Sequence, residues 1–276
     1  MLAGIGEWVF PNTLYWLDAA ARKFTAGPQL PRGPFAIAAP GGPSAWVLGW
    51  ADEQLAEVDL DKRTLRRVAL PGTLAWTPRH LAATPECAVV LRSRKPMIIV
   101  VRRGEEPRGV DLPAEPAALA LSDGRAWIAA EGCVLTVGLE KFDVARVDIG
   151  KSPVDVAMDG ATAVVADIAD RALWRMAEKP ERIALDAPPD AVASHGGVVY
   201  VAARTPERLW LLRVKGGAVE KLFEGAHPYG SEAGVKTFTR CTNTWVPFSR
   251  FAFDVKAGRG ALVDYLGGRV LLFPLK

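Results

Sequence analysis

Residues 152–176, SPVDVAMDGATAVVADIADRALWRM, hold three short apolar runs separated by breaks rich in Gly, Asp and Ala. The runs are rich in Val, Ala and Leu and are bounded by turn formers, which is strand chemistry rather than helix chemistry. The same frame recurs on both sides. PAALALSDGRAWIAAEGCVLTVGL starts at Pro116 and PDAVASHGGVVYVAARTPERLWLLRV at Pro189, so the starts lie 37 and 36 residues from Pro153. Further units begin at Pro34, Arg79 and Ser249, and EWVFPNTLYWLDAAARKFTA near the N-terminus fits without its first run. Most units add a fourth run, as in TLRRVAL, PRGVDL, VARVDI, ERIALD and AVEKLF.

Four short strands recurring about every 40 residues predict an all-β fold, the β-propeller of four-stranded antiparallel blades. A lone meander leaves one face bare, whereas stacked meanders cover one another. The first runs (AIAA, LAAT, ALAL, DVAM, AVAS) are made of small residues, which suits innermost strands where blades converge. The charged fourth runs suit the outer edge. The count is seven units in a single domain over 1–276, with an irregular insert at 224–248. Six blades with an irregular closing blade is the alternative. Residues 1–6 are the expected source of the strand that the last unit lacks.

The unit at 153–176 resembles the NHL/YVTN-type propeller repeat. The resemblance rests on Pro153 leading the first strand, the Asp159–Gly160 turn, the strand Val164-Val165-Ala166-Asp167, and Arg171 before the third strand. GGVVYVAARTPERLWLL at 196–212 follows the same pattern. The resemblance implies the fold, and no activity with it, because such propellers serve as binding platforms, lactonases and lyases alike.

Composition excludes several function classes. Half of the 276 residues are apolar, and the net charge is only +3. Cys87, Cys133 and Cys241 are widely spaced, which fits small buried hydrophobes and neither a disulfide framework nor a zinc motif. MLAGIGEWVF lacks the features of a signal peptide, and MIIVV at 97–101 is far too short to span a membrane. A cytoplasmic protein is expected. Asn occurs only at 12 and 243 and Gln only at 29 and 54, beside abundant Arg and Pro, as expected of a thermophile. No P-loop, H-E-x-x-H or G-x-S-x-G motif is present, so no cofactor and no metal is expected.

In a propeller, the loops from the fourth strand to the next first strand, and from the second to the third, share one face. The repeat alignment therefore selects His80, Arg92, Glu131, Asp167, Arg204, Arg250 and Tyr265 as candidate binding residues. Trp50, Arg79, Asp155 and Asp190 fall in neighbouring positions. The insert contributes Tyr229, Arg240 and Trp245, types enriched at binding hot spots. His80, at the start of a first strand, is the histidine placed for general-base work.

Charge is uneven along the chain. Residues 61–110 hold eleven Lys or Arg against four acids, and 111–190 hold fifteen acids against eight bases. This predicts weak binding to polyanions or RNA along the first stretch. The favoured reading is a non-catalytic scaffold that binds a protein partner through one propeller face, with no membrane role. The competing reading is a propeller enzyme of lactonase or lyase type.

Overall fold

A computed structural model describes residues 2–3, 12–18, 23–49, 54–71, 78–92, 96–205, 207–226, 249–255, 257–264 and 269–275. These residues fall into two compact units, 1–115 and 116–276. Every helix or strand among them is a β-strand, and the strands form seven antiparallel sheets in chain order. Tyr229, Arg240, Trp245, Tyr265 and Trp50 lie outside the described residues, as does the insert beyond residue 226.

The first unit holds three sheets. Strands β1 (Leu2–Ala3), β2 (Thr13–Asp18) and β3 (Lys23–Gln29) form the first. The second is β4 (Pro34–Ala38), β5 (Ser44–Gly49), β6 (Gln54–Asp59) and β7 (Thr64–Ala69). The third is β8 (Pro78–Ala83), β9 (Cys87–Arg92), β10 (Met97–Arg102) and β11 (Arg108–Asp111). Leu2 and Ala3 pair with Tyr15 and Leu14, so this part of the N-terminus builds the first sheet and not the last.

The second unit holds four. The fourth sheet is β12 (Pro116–Ser122), β13 (Arg125–Ala130), β14 (Cys133–Gly138) and β15 (Val144–Asp148). The fifth is β16 (Pro153–Asp159), β17 (Thr162–Asp167), β18 (Ala172–Met176) and β19 (Glu181–Ala184). The sixth is β20 (Pro189–His195), β21 (Val198–Arg204), β22 (Arg208–Lys215) and β23 (Ala218–Ala226). The seventh is three-stranded, with β24 (Ser249–Asp254), β25 (Arg259–Asp264) and β26 (Arg269–Pro274). Residues 224–226, assigned to the insert from sequence, continue β23 instead.

Local chemistry explains the meanders. Hairpins close on two residues with positive φ, such as Asp123–Gly124 (51° and 70°) and Gly196–Gly197 (59° and 75°). Such turns match the twist of the strands they join. Five first strands open on Pro, which has no N–H to leave unpaired. Each shows a one-residue register shift directly after that Pro. The seventh sheet opens on Ser249 and pairs without a shift.

Within each unit the sheets pack face to face in sequence order. Val156, Val165 and Met176 of the fifth sheet meet Ala118, Ala129 and Val134 of the fourth. Val164 and Leu173, on the other face of the fifth, meet Val199 and Val201 of the sixth. Tyr200 and Leu211 then meet Leu262 and Phe273 of the seventh. The first strands of successive sheets in the second unit lie side by side, close enough that only small side chains such as Ala118 and Ala191 fit at many positions. The fourth strands are exposed and charged; β15 is exposed at every residue. Cys87 and Cys133 are buried, as expected of small hydrophobes, and burial pushes the Cys133 thiol up.

Candidate functional site

Strand pairing brings the sequence-selected residues into register. His80, Asp155 and Arg250 occupy one equivalent position near the start of a first strand. Ala36, Ala118 and Ala191 hold it in three other sheets. At the facing end of the second strand, Arg92, Asp167 and Asp264 are equivalent, opposite Pro78, Pro153 and Ser249. Ala130 and Ala203 hold that position in the fourth and sixth sheets, so Glu131 and Arg204 sit one residue beyond it.

The candidates have different surroundings. Arg92 is buried in the first unit, with Nη1 donating to Met97 Sδ at 3.2 Å. His80 is half-buried in the same unit. Glu131 is exposed in a tight turn. Asp167 is fully buried and acts on the backbone. Its Oδ2 accepts from Lys151 N (2.7 Å) and Ser152 N (3.0 Å), and Oδ1 accepts from Asp170 N (2.9 Å). One carboxylate thus fixes the entry to β16 and the turn after β17. Gly150, at φ 50°, lies so close to that carboxylate that a side chain there would collide with it.

Arg204 is the centre of a buried array in the second unit. It is 7% exposed, and its Nη2 lies 2.9 Å from Asp190 Oδ2. Its Nη1 lies 3.8 Å from Asp264 Oδ1. Asp264 in turn accepts from Arg269 Nε at 3.0 Å. Asp190 and Asp264 are both fully buried. The register shift of β20 makes Asp190 its extra residue, which is how a strand end can aim a side chain out of the ladder.

Asp155 is the neighbour of this array. Its Oδ1 accepts from Val156 N at 3.0 Å, and Oδ2 accepts from Val192 N of the next sheet at 2.8 Å. Burial pushes its carboxyl up to about 6. The Val192 N–H, the charge of Arg250 and the Val156 N–H oppose the rise, and Asp190 adds to it. Three carboxylates and three guanidiniums (Asp155, Asp190, Asp264, Arg204, Arg250, Arg269) therefore share one end of the sheets, nearly balanced in charge.

Sequence reading passed over Asp264 and Arg269. Setting ALVD at 261–264 on VVAD at 164–167 would have placed Asp264 with Asp167, one residue before the Tyr265 that was selected. Arg269 opens the third strand of its sheet much as Arg171 precedes β18, so the same alignment, with one residue inserted, would have pointed to it. Among the described residues no group of three His, Cys, Asp or Glu is placed to hold a metal ion. No helix of the described residues is long and apolar enough to cross a membrane.

No protein-family model matches the chain, and no curated protein matches it. Solved structures do. Virginiamycin B lyase from Staphylococcus aureus matches with a TM-score of 0.70 at 14% identity, over 93% of this chain and 86% of that one. A streptogramin B lyase matches at 0.68 and 11% identity, over 91% and 86%. Hydrazine synthase from Kuenenia stuttgartiensis matches at 0.63 and 13% identity, over 95% and 89%. At these identities the likeness shows the fold alone. The chain is an all-β protein with the β-propeller fold, built on four-stranded antiparallel sheets.

Proposed function

We propose that the chain is a non-catalytic propeller platform that captures a protein partner at the sheet ends bearing the Asp–Arg array. The observation that carries this reading is the engagement of Asp190 and Asp264 by Arg204. Buried carboxylates tied to guanidiniums hold the sheet ends rigid beneath the surface, and a pre-organised surface suits specific recognition. The same engagement works against proton transfer, because a carboxylate held by Arg is a weak base. Arg250 and Arg269 are the half-buried members of the array, and we take Arg250 as the one that meets a partner. The test is native co-purification with quantitative mass spectrometry. A partner held by the wild type and lost from Arg250→Gln, at an unchanged melting temperature, supports the platform. Identical partner profiles overturn it.

A second reading has its own support. Asp155 is a buried carboxyl raised to about 6, which suits acid–base chemistry near neutrality. A solved relative by fold is a virginiamycin B lyase bound to quinupristin. In this reading the chain is a propeller lyase or lactonase with Asp155 as the proton carrier. Incubation with quinupristin and simple lactones, followed by mass spectrometry, decides. Turnover abolished by Asp155→Asn establishes the enzyme, and no turnover of any of these leaves the platform.

A further inference from the structure

The buried carboxylates of the second unit are held in two ways. Asp190 and Asp264 are tied to guanidiniums: Arg204 lies 2.9 Å from the first, and Arg269 donates to the second at 3.0 Å. Asp155 is not. Both of its oxygens accept from backbone, Oδ1 from Val156 N and Oδ2 from Val192 N. The cation it feels most is Arg250, which acts on it through charge and not through a hydrogen bond. Position explains this. Asp155 and Arg250 are equivalent residues of the fifth and seventh sheets, and Ala191 holds the same position in the sixth, between them. The first strands of these sheets lie side by side, so at that position only a methyl group stands between carboxylate and guanidinium.

The other charges around Asp155 are engaged elsewhere or exposed. In its own sheet, Asp167 is bound by three backbone N–H groups, and Lys151 lies 3.7 Å from Asp170. The sixth sheet brings Asp190, which adds its negative charge, together with Arg204. The seventh brings Asp264 and Arg269 besides Arg250. The fourth has Ala118 at the equivalent position, and Glu131 past the end of its second strand is exposed.

Asp155 is therefore a carboxylate whose charge can come and go without breaking an ion pair. Burial pushes it up to about 6, so it becomes neutral in mildly acid solution. Arg250, half-buried, then lacks that negative neighbour. A guanidinium so placed pairs more strongly with a carboxylate from outside, through charge-assisted hydrogen bonds.

We propose that Asp155 controls the capture of an acidic peptide segment by Arg250: the neutral acid admits the partner's carboxylate, and the ionised one repels it. This rests on the reading of Arg250 as the partner contact. By linkage, the bound segment strengthens the hold of Asp155 on its proton by the same factor that the proton strengthens binding. Affinity is thus high in mild acid and falls as Asp155 ionises.

Fluorescence anisotropy with a labelled hexa-aspartate peptide, at about pH 5 and about pH 8 and constant ionic strength, tests it. The wild type should bind about tenfold more tightly in acid. Asp155→Asn, neutral throughout, should bind nearly equally at the two pH values and as tightly as the wild type in acid. Arg250→Gln should lose binding at both. Arg146→Gln, exposed in the second unit, should keep the wild-type difference. Melting temperatures confirm that each variant is folded. The carbon-13 signal of the Asp155 carboxyl gives an answer without a variant, since its titration midpoint should rise with saturating peptide. No binding by the wild type in acid overturns the proposal, as do equal affinities at the two pH values or a tenfold difference that Asp155→Asn retains. The platform reading fails separately, when co-purification at either pH finds no partner that depends on Arg250.

Discussion

Two arginine–carboxylate groupings in this protein use the same residue types and differ in burial. In the second unit, Arg204 sits between Asp190 and Asp264 with almost no solvent contact. In the first unit, Arg66 and Arg103 meet Glu57 with half of each guanidinium side chain in water. Water separates their roles. The buried array has already lost its hydration, so its geometry is fixed and removing a member is costly. The exposed grouping at Glu57, the rim, keeps its hydration and contributes little to folding.

The largest effect expected from this contrast is at Arg204. Arg204→Gln removes the guanidinium that Asp190 and Asp264 share, with Asp264 keeping Arg269, and the loss of a buried partner of this type costs about 3–5 kcal/mol. Chemical denaturation measures it. A loss below about 1 kcal/mol would mean that water reaches both carboxylates and would erase the distinction between array and rim.

Asp155 sharpens the comparison through pH. Its folded carboxyl titrates near 6, and its ordinary value is 3.8. Between these values the folded state binds the proton and the unfolded chain does not. Stability therefore falls as pH rises from about 4 to about 6, by on the order of 3 kcal/mol, and this contribution is level above that. Arg250 and Asp190 are the charged groups that face it. Asp155→Asn should remove the slope. An unchanged profile in the variant would assign the pH dependence elsewhere.

Asp167 offers a smaller effect by a different route, since it holds backbone and no cation in the array. Asp167→Ala strips an acceptor from the N–H groups of Lys151, Ser152 and Asp170. The cost is about 2 kcal/mol, with Asp167→Asn recovering part of it. Hydrogen exchange should quicken at residues 150–152 and 168–170 while the rest of the fifth sheet keeps its protection. Uniform quickening would make Asp167 a core residue rather than a local clamp.

These residues also show what the sequence could reveal. The sheets were legible because Pro153, Gly160 and the apolar runs around them act locally, and the repeat multiplies a weak signal. The position of His80, Asp155 and Arg250 was legible for the same reason. The array was not, because Arg204 pairs with Asp264 across 60 residues and two sheets. The rim was hidden likewise: the excess of bases in 61–110 was plain, but only the packing of the second sheet on the third carries Arg103 to Glu57. Propeller blades are built by local rules, and their sites by side chains that cross between blades.

The smallest effect is expected at Glu57, and its smallness is informative. Glu57→Gln removes the carboxylate that both rim arginines hold. Because the arginine side chains are 50% and 52% exposed, solvent and salt already screen the pairs, and the loss should stay under about 1 kcal/mol. That loss should shrink further in high salt, where the Debye length falls to about 3 Å at 1 M. If Glu57→Gln instead destabilised the first unit by several kcal/mol in a salt-independent manner, the rim would be a second buried array. The half-exposed arginines would then belong to the fold.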